Sequence, residues 1–567
     1  MVRFATAQLR AGHLPPTRWF PYLGLGSPQF LHYQSLPALI AGAIGLVTSP
    51  NAAYTWSLYL LLSLWPLTVY GSARLLGAGR GAAAASAAMA PFLWSTVGIG
   101  YEQHAYVWTG FGAWTQLWAA VTLPLAWGFC WRWIRDGRHA LAAVTLSALT
   151  IALHFETGYL ALIPLLVWPF VAPGRLVRRI RRAAIVLGGA LLASAWVFVP
   201  LLDQRAFAAQ NEILRGTPLA NGYGAGRVLS WLVSGQLLDH GRLPVVTAFA
   251  ALGLARAIRR CRRDAEARAL LVALGICLLL SFGRATFGSL VALIPGSADI
   301  FLRRFMMGVQ LSALLLAGSG AARIAQIAWQ TARRHGGRCA DRLASRAPSR
   351  RPPHSRRRSS CSRRHGSSSD ATTVTTRARS PPSAGPTAPK GPSSTGFTGT
   401  LAADRTDVGV HSIPLLHSQL AQHGVDPRVA WGPGQPQPLP RSARATSPGT
   451  ILSTHASLAA SSLSATVRLR SPGAVVLSAS YDPDWTASVD GRPEPTVMVA
   501  PALVAVRVRP GIHRVVFRYR GYRGYALLFA LCALTLFALC ALTLLAFLAA
   551  GALPARRSRL HPTTGRG

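Results

Sequence analysis

The sequence predicts a polytopic α-helical membrane protein of about ten spans, with a small extracytoplasmic antiparallel β-sandwich before the last helix. Three observations predict it. The 567 residues are 50% hydrophobic with a mean hydropathy of +0.30. Apolar stretches recur along the first 330 residues, and arginines gather in alternate loops between them. From Thr466 onward the texture changes to short alternating runs punctuated by turn residues.

Charge narrows the class further. Only 14% of residues are charged, with 59 Lys+Arg against 18 Asp+Glu and a formal net charge of +41. A soluble chain carries about 25% charged residues. The composition excludes an ordinary cytosolic enzyme and leaves a membrane protein with basic cytoplasmic loops or a nucleic-acid binder. The seven cysteines show neither metal-ligand spacing nor a disulfide framework, so they read as structural and no metal site is expected.

The candidate spans are Tyr54–Leu76, Ala82–Ile99, Thr115–Ile134, Ala140–Leu153, Gly158–Val171, Ala183–Leu202, Pro244–Ile258, Ala269–Ser281, Phe305–Ala322 and Tyr525–Ala550. A bilayer crossing takes about 20 apolar residues, so the shorter stretches are tilted, enclosed in the bundle or wrongly bounded. Arg74 and Arg80, then Arg132 to Arg138, Arg175 to Arg182 and Arg256 to Arg268, mark cytoplasmic loops. Tyr101–Trp114, Asp203–Arg242 and Phe282–Arg304 are the external ones.

This orientation places residues 1–53 outside as an external loop with one short interfacial helix at Leu36–Val47. No signal peptide opens the chain, so an upstream helix is expected. The bundle occupies 54–330, and one crossing is unaccounted for between residues 323 and 525. Within that gap, Arg333 to Arg379 holds fourteen arginines and two acids. The segment 331–400 reads as a basic disordered linker or a frame-shifted stretch. Nucleic-acid binding is not expected, because nothing there offers stacking or base readout.

Residues 401–464 read as a poorly structured connector and 465–520 as an external β-domain. Its strands are Val467–Arg470, Ala474–Ser480, Thr486–Val489, Leu503–Arg509 and Arg514–Tyr519, with turns at Asp490-Gly491 and Pro510-Gly511. Val504, Val506 and Val508, then Val515, Phe517 and Tyr519, supply one apolar face each. A last span at 525–550 leads to a basic cytoplasmic tail, 551–567.

Acidic groups are scarce among the spans, and ionisable groups in or near a bilayer are functional candidates because burying them unpaired is costly. Glu102 and His104 lie at one external helix end, and His154 and Glu156 break an apolar run at another external turn. All four are candidates to face one cavity. A partly desolvated carboxylate there would activate an acceptor hydroxyl with a histidine partner. The plainer alternative makes the glutamates solvated and the histidines interfacial hydrogen-bonders. Arg303 and Arg304 open a span on the external side, against the orientation rule, and an anionic lipid phosphate would explain them. Snorkelling is the alternative.

Two stretches carry a family likeness: Gly12-His-Leu-Pro-Pro-Thr-Arg-Trp19 with Gly24-Leu-Gly-Ser-Pro-Gln-Phe30, and Tyr481-Asp-Pro-Asp-Trp-Thr-Ala-Ser-Val-Asp-Gly491 with Arg509-Pro-Gly-Ile-His513. With Arg303-Arg304 they resemble the YfhO-like bacterial membrane proteins of the GT-C glycosyltransferase class. The resemblance implies a multi-pass protein of the bacterial cytoplasmic membrane. Such a protein transfers a sugar from a polyprenyl-phosphate carrier to an envelope glycan or lipid acceptor on the external face. It needs no cofactor beyond the lipid-linked sugar as co-substrate. In similar chains an Asp in the first external loop precedes the segment matching Val2–Gly12, after a first helix, so a truncated chain is expected. The rivals are a non-catalytic membrane protein of envelope assembly presenting its β-domain, and a transporter. A transporter predicts internal repeats, and the sequence shows none.

Overall fold

The computed structural model describes residues 1–22, 25–96, 98–108, 112–205, 217–298, 300–344, 398–400, 428–430, 449–499 and 503–552. Two compact units divide the chain: Met1–Arg323 with Pro392–Gly567, and Ile324–Gly391.

The chain opens with helix α1 (Val2–Arg10), which buries Val2, Phe4, Ala5, Thr6 and Gln8. After the single turn α2 (Gln29–His32) comes α3 (Leu36–Val47). The Thr6 hydroxyl donates to Gly42 O at 3.0 Å, and a side chain at Gly42 would collide with Ala5. Residues 1–53 are therefore not a loop with one helix. A helix of nine residues is too short to announce itself by periodicity, and packing on α3 stabilises it.

Next, α4 (Pro50–Leu75) starts where Ser49 accepts from Ala52 N and Pro50 supplies a preset φ. The expected span Ala82–Ile99 does not form one. Helix α5 (Arg80–Met89) tightens into a 3₁₀ turn at Ala90–Phe92. Ten residues rise about 15 Å, half the hydrocarbon thickness. Pro91 lies in that turn, and Gly98 and Gly100 take φ of 82° and 68° just beyond, a left-handed conformation no helix continues through.

After α6 (Gln103–Trp108) and α7 (Trp114–Asp136), the latter ended by Gly137 at φ 74°, come α8 (Ala140–Leu153), α9 (Phe155–Val171) and α10 (Leu176–Asp203). Short helices α11 (Pro218–Asn221) and α12 (Ala225–Val233) lead to α13 (Val245–Arg260), α14 (Ala265–Phe282), the single turn α15 (Arg284–Phe287) and α16 (Met306–Ala344). The basic stretch expected to be disordered from residue 331 is helical as far as Ala344, because its Arg and Ala residues favour helix and the first proline is Pro348. Most of its remainder, with the missing crossing and the tail 553–567, lies outside the described residues.

Among the described residues, five helical segments are long and apolar enough to cross a membrane: Pro50–Leu75, Leu176–Asp203, Ala265–Phe282, Leu302–Arg333 and Tyr525–Leu545. Three shorter apolar helices accompany them at Leu36–Val47, Ala140–Leu153 and Phe155–Val171. The chain is a multi-pass membrane protein. Its core centres on Trp127, Trp131 and Trp168, with edge-to-face ring contacts of 6.0 and 5.6 Å to Trp168. Trp127 donates to Leu160 O at 2.7 Å and Trp168 to Ala269 O at 3.0 Å, which satisfies two indole N–H groups where water is excluded.

Strands β1 (Thr398–Thr400) and β2 (Arg428–Ala430) pair in parallel. The C-terminal domain begins with β3 (Gly449–Ser457), inside the stretch expected to be unstructured, and β4 (Ser462–Leu469), which starts at its end. Strand β3 is an edge strand exposed along most of its length, so it shows no apolar alternation. Then follow β5 (Gly473–Ser480), β6 (Trp485–Val489), β7 (Arg492–Glu494), β8 (Thr496–Val499), β9 (Leu503–Val508) and β10 (Gly511–Tyr519). One sheet runs β3-β4-β10-β6-β7 and the other β5-β9-β8. Asp490 and Gly491 both take positive φ, 51° and 82°, as a tight hairpin between β6 and β7 requires. Pro510-Gly511 instead carries the chain from one sheet to the other, so β9 and β10 do not pair.

Trp19, from the N-terminal segment, completes this domain's core at 5.0 Å from Trp485 and 5.1 Å from Tyr519. Trp19 N donates to the Ser461 hydroxyl at 3.1 Å, and Ser480 N to Leu25 O at 3.3 Å. The last helix, α17 (Tyr525–Ala552), packs on α10 through Phe529 and Trp196.

Candidate functional site

The site forms where α7, α9 and α16 begin. Between α8 and α9 the chain turns at His154, whose extended backbone stops one helix while its ring Nδ1 accepts from Thr157 N at 3.2 Å. His154 is thus the cap of α9, fully buried, with the Arg304 guanidinium within electrostatic reach. One residue into the helix, Glu156 lies in its first turn, where the helix dipole favours a carboxylate.

Both Glu156 oxygens are engaged. Oε1 accepts from Phe301 N at 2.7 Å, and Oε2 pairs with Arg304 Nε at 2.5 Å. Arg304 also donates to Gln116 Oε1, and Gln116 Nε2 donates to Gly100 O at 2.7 Å. Gln310, fully buried, accepts from Tyr101 N at 2.7 Å and donates to Leu237 O at 2.9 Å. The result is one polar network linking α7, α9, α16 and the bend at 98–101. A narrow cleft lined by Glu156, Tyr159, Ile300, Phe301, Arg304 and Phe305 opens beside it.

Arg303 lies next to this network, its guanidinium against Gly98, over the Phe301 ring at 5.4 Å, and within electrostatic reach of Glu102 and Tyr223. Its buried Nε has no hydrogen-bond partner among the described residues. Glu102 accepts from Ala113 N at 2.8 Å, which fixes the approach to α7.

The six sequence candidates therefore divide. Glu156 and Arg304 belong to one polar network, Arg303 and Glu102 lie beside it, and His154 caps the helix that carries Glu156. His104 does not share that cavity. It stacks on Trp94 at 5.5 Å, in a second cluster with His240 and Arg242. Nor do His154 and Glu156 act as a pair: one caps the helix and the other holds the chain at 301–304. Sequence reasoning limited to ionisable groups missed Gln116 and Gln310. An uncharged amide inside an apolar run was the available signal, since it too must find partners in a bilayer.

Chemically, two adjacent guanidinium groups present a fork-shaped donor array suited to a phosphate. Glu156 as it stands orients one of them, and each of its oxygens has a partner.

No family model matches this chain, and no curated protein matches it. Among solved structures, the oligosaccharyltransferase AglB from Archaeoglobus fulgidus, in complex with an inhibitory peptide and a dolichol-phosphate, is similar at a TM-score of 0.37 and 12% identity. The likeness covers 62% of this chain and 48% of that one, so the chain spans about half the length of that structure. A likeness this distant establishes neither family nor activity.

Proposed function

We propose that the chain is a GT-C-type membrane glycosyltransferase that takes a sugar from a polyprenyl-phosphate donor and passes it to a cell-envelope acceptor on the external face. The observation that carries this reading is the placement of Arg303 and Arg304 side by side where α16 begins, with Glu156 and Gln116 holding Arg304 and the Arg303 Nε without a partner among the described residues.

The donor phosphodiester, a monoanion held by both Arg303 and Arg304, would compete with Glu156 for the Arg304 guanidinium. That exchange frees Glu156 to accept the acceptor's hydroxyl proton. The acceptor oxygen then bonds to the anomeric carbon, and the bond from that carbon to the phosphate oxygen breaks. The polyprenyl phosphate leaves with both electrons, stabilised by Arg303 and Arg304. Configuration at the anomeric carbon inverts. Glu102 holds the loop before α7, and His154 caps the helix that carries Glu156; both are positioning residues.

The test uses the full chain in proteoliposomes, radiolabelled polyprenyl-phosphate sugar and an envelope extract as acceptor. Arg304→Ala should weaken donor binding at least tenfold. Glu156→Gln should bind donor as wild type does and lose transfer. Donor binding without any transfer by wild type would favour the non-catalytic reading. Full transfer by both variants would refute the proposed site.

A further inference from the structure

A second cluster gathers around Trp94, and the transferase reading does not use it. Trp94 N donates to Leu238 O at 3.0 Å, and Trp94 forms a parallel bridge with Asp239. This pairing brings His240 against the Trp94 ring at 5.9 Å and 26°, while His104 stacks on it at 5.5 Å and 29°. The Arg242 guanidinium lies 5.0 Å from the same ring. Its Nε donates to Asp239 O at 2.9 Å and its Nη2 to Phe92 O, which aims the group.

We infer that His104, His240 and Arg242 around Trp94 form a binding site for a phosphate-class oxyanion, separate from Arg303 and Arg304.

Four features support it. His104 is 5% exposed, and neither ring nitrogen completes a hydrogen bond among the described residues; His240 Nδ1 is also buried without a partner. Such orphaned groups call for an explanation, and a bound ion supplies one. The nearby carboxylate cannot neutralise the cluster. Asp239 Oδ1 accepts from Val246 N at 3.0 Å, and Oδ2 accepts from Thr247 N at 2.9 Å and the Thr247 hydroxyl at 2.7 Å. Asp239 is thereby committed to the start of α13.

Burial, with His240 and Arg242 close by, drives the His104 imidazolium down to about 4, while the Ser95 backbone opposes this weakly. A bound oxyanion would accept from both imidazoles and the guanidinium at once and favour the charged form of His104. Finally, Arg242 is exposed and His240 half-buried, so the cluster is open on one side. A metal cation is disfavoured: a guanidinium faces the imidazoles, and no metal-ligating group of three occurs among the described residues.

The oxyanion is either free phosphate or a phospholipid headgroup, and two probes separate them. The full chain in phosphatidylcholine nanodiscs is titrated with radiolabelled inorganic phosphate. In parallel, retention of radiolabelled phosphatidylglycerol is measured through detergent exchange. Each experiment uses wild type, His104→Gln, His240→Gln and Arg304→Ala. Saturable binding of either probe that falls at least tenfold in both histidine variants and persists in Arg304→Ala supports the site, and the probe bound identifies the source. His240 is at the rim, so His240→Gln decides the matter should His104→Gln fail to fold. The inference is overturned if neither probe binds saturably, if His240→Gln binds as wild type, or if binding is lost only with Arg304.

Discussion

Gln204, at the end of α10, donates through Nε2 to Asp484 Oδ2 at 2.8 Å. Asp484 belongs to the half-buried turn entering β6, so this bond ties the helical bundle to the β-domain at the sequence Tyr481-Asp-Pro-Asp-Trp485. Trp19 fills the same domain's core from the N-terminal side. The β-domain is thus built into the bundle at two points.

Trp19→Ala should open a cavity between the sheets and cost about 3–5 kcal/mol in the β-domain. Hydrogen exchange is expected to accelerate in β4, β6 and β10 and stay unchanged in α7 and α9. Unchanged exchange in the strands would mean that Trp19 only rests on the domain.

Asp482 is buried, and desolvation pushes its carboxyl up to about 7. A carboxyl raised in the folded state binds its proton more tightly there than when unfolded. Its contribution is therefore fully present below 3.8, the ordinary value, and is lost as pH rises through 7. Asp482→Asn keeps an oxygen for Asp484 N and carries no charge. Its melting temperature should fall less than that of wild type between pH 5 and pH 8.

Asp490 and His513 pair at 2.7 Å on the surface of the β6–β7 hairpin. The pair holds Asp490 below its ordinary 3.8 and His513 above its ordinary 6.5. The histidine's part is complete below 6.5 and lost as pH rises through its higher folded value. The carboxylate's part is complete above 3.8 and lost as pH falls through its lower one. Support is therefore greatest between those two values. Histidine-labelled NMR should show His513 titrating at lower pH in Asp490→Asn; an unmoved titration would remove the pair.

Glu156→Ala leaves Arg304 partly buried without its carboxylate and Phe301 N without its acceptor. It should cost about 3 kcal/mol. Glu156→Gln, which still offers an oxygen to Phe301 N, should cost less, and Glu156→Gln with Arg304→Gln should cost less than the two single changes added. Additive melting shifts in detergent would show that the two residues act independently.

At Gly253 a side chain would strike the Leu316 carbonyl, and at Gly320 the Phe249 carbonyl. These glycines let α13 and α16 approach backbone to backbone, as small residues do between helices in lipid. Gly253→Val should lower the yield of monodisperse protein several-fold, whereas Gly275→Val, with open space around it, should not.

Much was legible in the sequence because the relevant forces are local. A long apolar run without charge must satisfy its backbone internally, so Leu36–Val47 and Tyr525–Ala552 are helices nearly where hydropathy put them. Alternating valines marked β9 and β10 for the same reason of local burial. Arg303 and Arg304 stood out because charge there opposed the orientation rule. The edge strand β3 gave no such sign, because an exposed strand buries almost nothing.

Tertiary structure alone decided the partners. Nothing in the spacing of residues 116, 156 and 304 says that one guanidinium joins them, since helices brought together by packing choose the pairing. Nothing near position 104 says that its imidazole meets Trp94 and His240 rather than Glu156. Nor does the N-terminal segment show that Trp19 is completing a sandwich formed more than four hundred residues later. Periodicity and charge report how each segment meets its solvent. Which buried polar groups meet each other depends on the close packing of segments far apart in the chain, and that is not written in any one of them.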